Sequence, residues 1–324
     1  MRTTLSFFAI GAGLLASTAC SPTVSTPMGA SQAQSSILGS SAVPRPSATA
    51  LEHPSRGAKP LGWMQKGAPS SVIYVAAGNR VMVYPENGSN PPAVGSITNH
   101  VANAWGLFVD GRRNLYVANN KSISAYHPRA LTPFIVYSDP DRPMYVVLDH
   151  AGRLYAANHN GTVTEYPPHQ TKPDRTLQTP GVEADGINLD TANNLYVAYR
   201  GGSTSGSIEE FAPNSTQGRI LGMQLVAPQG LQLDRAGNIL VVETESKQVV
   251  DIFPPGSTSP SQVLSEDFGV EQIVLREGED NMYISNWAYG SDVYISHYPP
   301  GEFQSKIDAN LNYVQGMALS NEER

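Results

Sequence analysis

One block of sequence recurs six times along the 324 residues, and no other feature of the chain constrains its fold as tightly. The block opens with "GLFVD" at 106, "YVVLD" at 145, "GINLD" at 186, "GLQLD" at 230, "QIVLR" at 272 and "GMALS" at 316, at spacings of 39, 41, 44, 42 and 44 residues. A turn and a tyrosine-rich apolar run follow: "NLYVAN" from Asn114, "RLYAAN" from Arg153, "NLYVAY" from Asn194, "NILVVE" from Asn238 and "NMYISN" from Asn281. A sixth run, "VIYVAA" from Val72, has no opening segment before it. The third run of each copy ends in an aromatic residue, usually near a proline, as in "VMVYP", "TVTEYPP" and "SIEEFAP". A short fourth stretch closes most copies, as in "RTL" from Arg175 and "QVL" from Gln262.

Four short strands in a period near 42 residues, with turn residues between them, fit radial repetition better than a sandwich. The expected fold is all-β: a six-bladed β-propeller of four-stranded blades. Each blade packs between two others, so its strands read as continuous apolar runs. The copy at Val72 lacks an inner strand and "GMALS" lacks everything after one. Combined, they make one blade, and the C-terminal strand closes the first blade without leaving an open sheet edge.

The pattern G-[LI]-x-[VL]-D-x-x-[GN]-x-[LI]-Y-V-A resembles the NHL-type repeat, with some similarity to "YVTN" propeller repeats. "FPPGSTSPSQVL" from Phe253 resembles a segment of exported bacterial propeller proteins. The resemblance runs over residues 62–324 and implies the fold. It says little of activity, because propellers host hydrolases, lyases and binding modules alike. Two copies depart from the pattern, with Arg276 in place of Asp and Tyr145 in place of Gly.

The N-terminus, "MRTTLSFFAIGAGLLASTAC", has the layout of an export signal: a basic start, an apolar span and small residues before Cys20. Cys20 is the single cysteine, so no internal disulfide can form. Its place after "STA" resembles the lipobox of bacterial lipoproteins, where the cysteine is diacylated, although Ser17 stands where that motif prefers Leu. Ordinary cleavage after Ala19 is the other reading. Residues 1–20 are thus read as a signal peptide, 21–60 as a disordered Ser/Pro/Ala-rich tether, and 61–324 as the propeller. Ser21 after the cysteine is compatible with outer-membrane sorting in the lipoproteins resembled. Trp63 and Met64 are expected to pack on the propeller.

Beyond residue 70 the chain carries 16 basic and 27 acidic residues, with no cluster of basic side chains among aromatics, which argues against nucleic acid as a partner. No metalloprotease, hydrolase, phosphate-loop or dinucleotide motif is present. Propeller topology divides the loops between two faces. Asp110, Asp149, Asp190 and Asp234 fall in bottom turns, where a carboxylate that accepts backbone N–H bonds explains them better than a metal ring.

The top face is where the copies differ. Its candidate ligand-binding residues are Asn103, Trp105, Arg142, His159, Glu183, Asp185, Arg200, Glu243, Glu271, Asn286 and Trp287. Solvated loop polarity is the plainer account of these residues. Six-bladed lactonases resembling this fold hold a metal with Glu, Asn and Asp at the channel mouth. That resemblance implies Glu183, Asp185, Glu243 and Glu271, with Asn103 or Asn286, as oxygen ligands for Ca²⁺ or another divalent cation. A resemblance to streptogramin-inactivating lyases would require a catalytic His, for which His159 with Glu183 and Glu243 is the available set.

The expected function is an exported, lipid-anchored binding module at the cell envelope. Its top face takes a protein, glycan or small-molecule ligand, without a cofactor and with membrane attachment through the lipid alone. The alternative is a metal-dependent hydrolase or lyase acting through the same face.

Overall fold

In the computed structural model the described residues are 62–202, 205–244, 248–265, 269–276, 278–287, 291–299 and 302–320. Cys20, the signal segment and the tether over 21–60 lie outside them. The described chain is all-β and forms six antiparallel sheets, each of at least four strands. From blade 1 to blade 6 the inner strands are Val314–Leu319, Leu107–Val109, Pro143–Leu148, Glu183–Leu189, Pro228–Leu233 and Val270–Leu275. The second strands are Val72–Ala77, Leu115–Ala118, Leu154–Asn158, Leu195–Gly202, Ile239–Glu243 and Asn281–Asn286. Third come Val81–Pro85, Ser122–Tyr126, Thr162–Tyr166, Ser205–Phe211, Val249–Phe253 and Asp292–His297. The outer strands are Gly95–Ile97, Ile135–Ser138, Arg175–Gln178, Gly218–Ile220, Gln262–Ser265 and Phe303–Ile307. Each inner strand packs beside those of the blades before and after it, and the series returns from blade 6 through Val314–Leu319 to blade 2.

Closure follows the expected route. Val314–Leu319 pairs with Val72–Ala77, in the register Ile73 opposite Leu319 and Tyr74 opposite Ala318. The pair is locked at its end by Ser320, whose N–H donates to the Val72 carbonyl and whose Oγ accepts the Val72 N–H, both at 2.9 Å. Blade 1 also gains a fifth strand, Trp63–Met64, against its outer strand. Met64 packs into the core there, whereas Trp63 stays 45% exposed. The expectation of packing thus holds for Met64 and only in part for Trp63.

The core is six apolar clusters, one between each pair of adjacent blades. Val72, Tyr74 and Ala76 face blade 2, while Ile73, Val75 and Ala77 of the same strand face blade 6. Both faces of the strand are buried, which is why it reads as an unbroken apolar run. The aromatic residue ending each third strand is the wedge between blades: Tyr84, Tyr126, Tyr166, Phe211 and Phe253 are among the largest fully buried side chains. Tyr84 donates to the Ala309 carbonyl at 2.6 Å, Tyr126 to Asn99 O at 2.5 Å and Tyr166 to Asp139 Oδ2 at 2.8 Å, each on the neighbouring blade. Burial pushes the Tyr84 and Tyr126 hydroxyls up to about 12, so they remain neutral donors.

The bottom turns behave as turn chemistry demands. Oδ1 of Asp110, Asp190 and Asp234 accepts the backbone N–H four residues on at 2.7–2.8 Å, and Oδ2 accepts the Asn side-chain amide of that same residue at 2.6–2.7 Å. Asp149 accepts the Arg153 N–H at 2.8 Å. Arg276, the departure in blade 6, keeps the backbone bond of this turn, and its guanidinium reaches Glu86 of blade 1 at 2.6 Å.

Candidate functional site

The loops that enter the inner strands and those that join second to third strands meet on one face. Six of the candidate residues form a continuous chain of contacts there across blades 2, 3 and 4. Trp105 ends the loop into blade 2, its N–H bonded to the Ala118 carbonyl at 2.9 Å. The Arg142 guanidinium lies over the Trp105 ring, 5.2 Å from its centroid. The Arg142 backbone, at φ 61°, presents its carbonyl to the His159 N–H at 3.1 Å. His159 Nδ1 lies 3.2 Å from Glu183 Oε1. Arg200 then spans two carboxylates, with Nε 2.6 Å from Asp185 Oδ2 and its terminal nitrogen on Glu183 Oε2.

The local fold explains this meeting. Glu183 and Arg200 are cross-strand partners in blade 4, and a bulge between Ala184 and Gly186 turns the Asp185 side chain to the same guanidinium. Asp185 is 1% exposed and Arg200 is 6% exposed, while Glu183 and His159 are half-buried at the surface. A guanidinium fork held by two carboxylates is a rigid, charge-assisted arrangement. Val182, directly before it, is exposed at 60%.

The remaining candidates do not join this chain. Glu243 is fully buried, and its Oε2 accepts the Val226 N–H. At the same repeat position in blade 2, Asn119 Oδ1 accepts the Ala102 N–H at 2.9 Å. Both side chains hold the loop that enters their inner strand. Asn286 donates to Asp292 Oδ1 at 2.8 Å within its own hairpin, and the Trp287 N–H bonds Gly269 O at 3.0 Å. The Asn103 N–H bonds Asn79 Oδ1 of blade 1 at 2.8 Å. Glu271 is buried beside the channel. Asp185 and Glu243 are therefore interior groups with structural partners, and Glu271 is an interior group too, where solvated loop polarity was the plainer expectation.

Of the four acids suggested as metal ligands, two are brought together. Among the described residues, His159, Glu183 and Asp185 each offer a ligand atom, all within 4.8 Å of one another. Glu243 and Glu271 belong to no such group there. Arg200 already places a cation on both carboxylates, so a divalent ion at this point would have to displace it or share its oxygens.

Sequence reasoning missed the residues that shape the channel. The position occupied by glycine at 106, 186, 230 and 316 carries Tyr145 in blade 3 and Gln272 in blade 6, the blade opposite. The Tyr145 hydroxyl reaches within 3.5 Å of the Glu271 carbonyl, and Gln272 Oε1 accepts the Met317 N–H at 2.7 Å. A Cβ at Gly106 would stand 2.4 Å from the Tyr145 ring, and one at Gly316 would stand 2.9 Å from Gln272 Oε1. Only at Gly106 is the Tyr145 ring the nearest obstacle; at Gly186, Gly230 and Gly316 the backbone of the neighbouring inner strand stands as close or closer. The signal was present, because these two blades were the ones that broke the repeat.

No family model and no curated protein matches the chain. Solved structures do. A chain of a nidogen/laminin complex is 17% identical with a TM-score of 0.66, covering 77% of this chain and 98% of its own. A protein of unknown function from Bacteroides caccae is 13% identical with a TM-score of 0.62, again over 77% and 98%. A chain of a mitotic checkpoint complex is 11% identical with a TM-score of 0.56, over 76% and 77%. At these identities the likeness speaks for the fold, and the chain is a six-bladed β-propeller.

Proposed function

We propose that the chain is an exported, lipid-anchored β-propeller that acts at the cell envelope as a non-catalytic binding module, with a protein as its partner on the top face. The observation that carries the reading is the Arg200 clamp. The two acids best placed for chemistry are both engaged by one guanidinium, and beside them lies a rigid polar surface bearing Arg142, His159 and the exposed Val182. Fixed Arg and aromatic groups around an exposed apolar residue are the composition of a protein-binding patch. Two of the structural neighbours come from protein complexes, which agrees with this class of partner. The repeat resemblance to NHL-type exported propellers and the lipobox-like placement of Cys20 support envelope attachment, since a diacyl group supplies the two chains that stable anchoring needs.

One experiment in the native cell reads both parts. A photo-crosslinking residue replaces Val182 on the top face or, as a control, the exposed Thr191 on the bottom. A labelled fatty acid is supplied to cells carrying wild-type protein or Cys20→Ser. The expected result is a protein adduct from position 182 and none from 191, with acyl label lost in Cys20→Ser. Equal adducts from both positions, or none, would reject the top-face partner. Wild-type protein without label would reject the anchor.

The grouping of His159, Glu183 and Asp185 supports a second reading, a divalent-metal hydrolase or lyase. It requires saturating Ca²⁺ to stabilise the fold, by about 2.7 kcal/mol at a hundred times the dissociation constant. The binding-module reading expects no shift in melting temperature beyond ordinary charge screening. A calcium-dependent rise that Glu183→Gln removes would promote the enzyme.

A further inference from the structure

A deep cleft lies on the face opposite the top cluster. We infer that this bottom-face cleft of blades 2 to 4 is a binding site for a small organic cation with an apolar body. The inference does not rest on the top-face reading.

The cleft has a volume of about 880 Å³, opens among the bottom turns of blades 2, 3 and 4, and runs inward to Tyr145 and Gln272. That volume falls in the range of small-molecule sites. At its inner end Tyr145 reaches from blade 3 to the Glu271 carbonyl of blade 6. The two departures from the repeat therefore lie at that inner end.

Its walls are unusual for a solvent-facing surface. Phe108, Leu148 and Leu189 line the cleft and are only half-buried. Phe134, also in the lining, is 45% exposed and stacks on His127 at 4.2 Å and 12°. Phe108 lies tilted against Tyr116 at 6.3 Å, so aromatic rings border the blade 2 side. Partly exposed rings inside a concavity offer apolar contact and negatively polarised faces to a ligand.

The charges decide its sign. Three carboxylates, Asp110, Asp149 and Asp190, line the cleft against one guanidinium, Arg112. The turn N–H bonds that these acids accept hold them in place at the rim. An anion would enter against three carboxylates. A neutral apolar molecule would leave that field unused. A quaternary or protonated amine on an apolar body satisfies both the field and the rings.

Titration calorimetry of the full chain with benzyltrimethylammonium tests this, with benzenesulfonate as an anion of similar size. It is run at about pH 8, above the ordinary range of histidine side chains. The expected result is saturable binding of one ammonium ion per chain and no comparable binding of the sulfonate. Phe108→Leu keeps apolar bulk but removes the ring, and should weaken binding about fivefold. Arg112→Glu, at an exposed position, should tighten it, a gain that no loss of fold could imitate. Val182→Ser on the other face should leave it unchanged. The inference is overturned if the ammonium ion does not bind saturably, if both ions bind alike, or if Phe108→Leu and Arg112→Glu both match wild type.

Discussion

Glu209 occupies a position where burial goes uncompensated. It is 6% exposed, and its Oε2 has no hydrogen-bond partner among the described residues. It lies over Gly218, where a Cβ would come within 2.2 Å of its Oε1. Loss of water raises its pKa above the ordinary glutamate value. The folded protein therefore favours the protonated form. The stability this group contributes is present in full below about pH 4 and is lost as pH rises through its raised value. Glu209→Gln keeps the shape of the protonated acid. It should make the protein more stable than wild type at neutral pH, by about 1 kcal/mol or more. The two urea unfolding curves should converge near pH 4; a variant less stable at neutral pH would show that the ionised carboxylate has a partner. Asp190 is the opposite case. Its carboxylate accepts the Ala192 and Asn194 N–H groups at 2.9 and 2.8 Å and the Asn194 amide at 2.7 Å. Asp190→Ala would leave three donors unsatisfied and should cost about 2 kcal/mol in a denaturant titration, whatever divalent ion is present.

At the scale of the strand, the repeat pattern carries two messages, and only one could be read in advance. The apolar runs announced strands buried on both faces, and the terminal aromatics announced something recurrent at the end of each third strand. Their purpose becomes visible once Tyr84, Tyr126 and Tyr166 are seen to bond the neighbouring blade. In the ring, a Cβ at Gly186 would stand 2.0 Å from the Gln229 carbonyl, so the close approach of inner strands sets the residue. The closing strand makes the most direct test. Met317 and Leu319 are fully buried in it. Deleting Gly316 to Arg324 removes them and exposes the edge of Val72–Ala77, at a cost of about 3–6 kcal/mol and a fall in melting temperature of roughly 10 °C. An unchanged melting curve would mean that the ring does not depend on this pairing.

At the scale of the whole molecule, six interblade clusters carry the fold, and the axis is filled where Tyr145 and Gln272 enter it. The sequence by itself determined the number of blades, the order of strands within each, the closure through the C-terminal strand and the role of the bottom aspartates. These follow from short-range rules: a side-chain period of two, turn chemistry within five residues, and a repeat length that leaves one strand over. The sequence also placed the candidate residues on one face. Tertiary structure alone decided which of them meet. His159, Glu183, Asp185 and Arg200 come from two blades and join because a bulge turns one carboxylate and a guanidinium spans two. Glu243, at an equally suggestive position, is turned inward to hold a backbone N–H. The bottom cleft was illegible for the same reason. Its rings and carboxylates lie on three blades, and their separation in space depends on how blades tilt and pack, which no local pattern in the chain encodes.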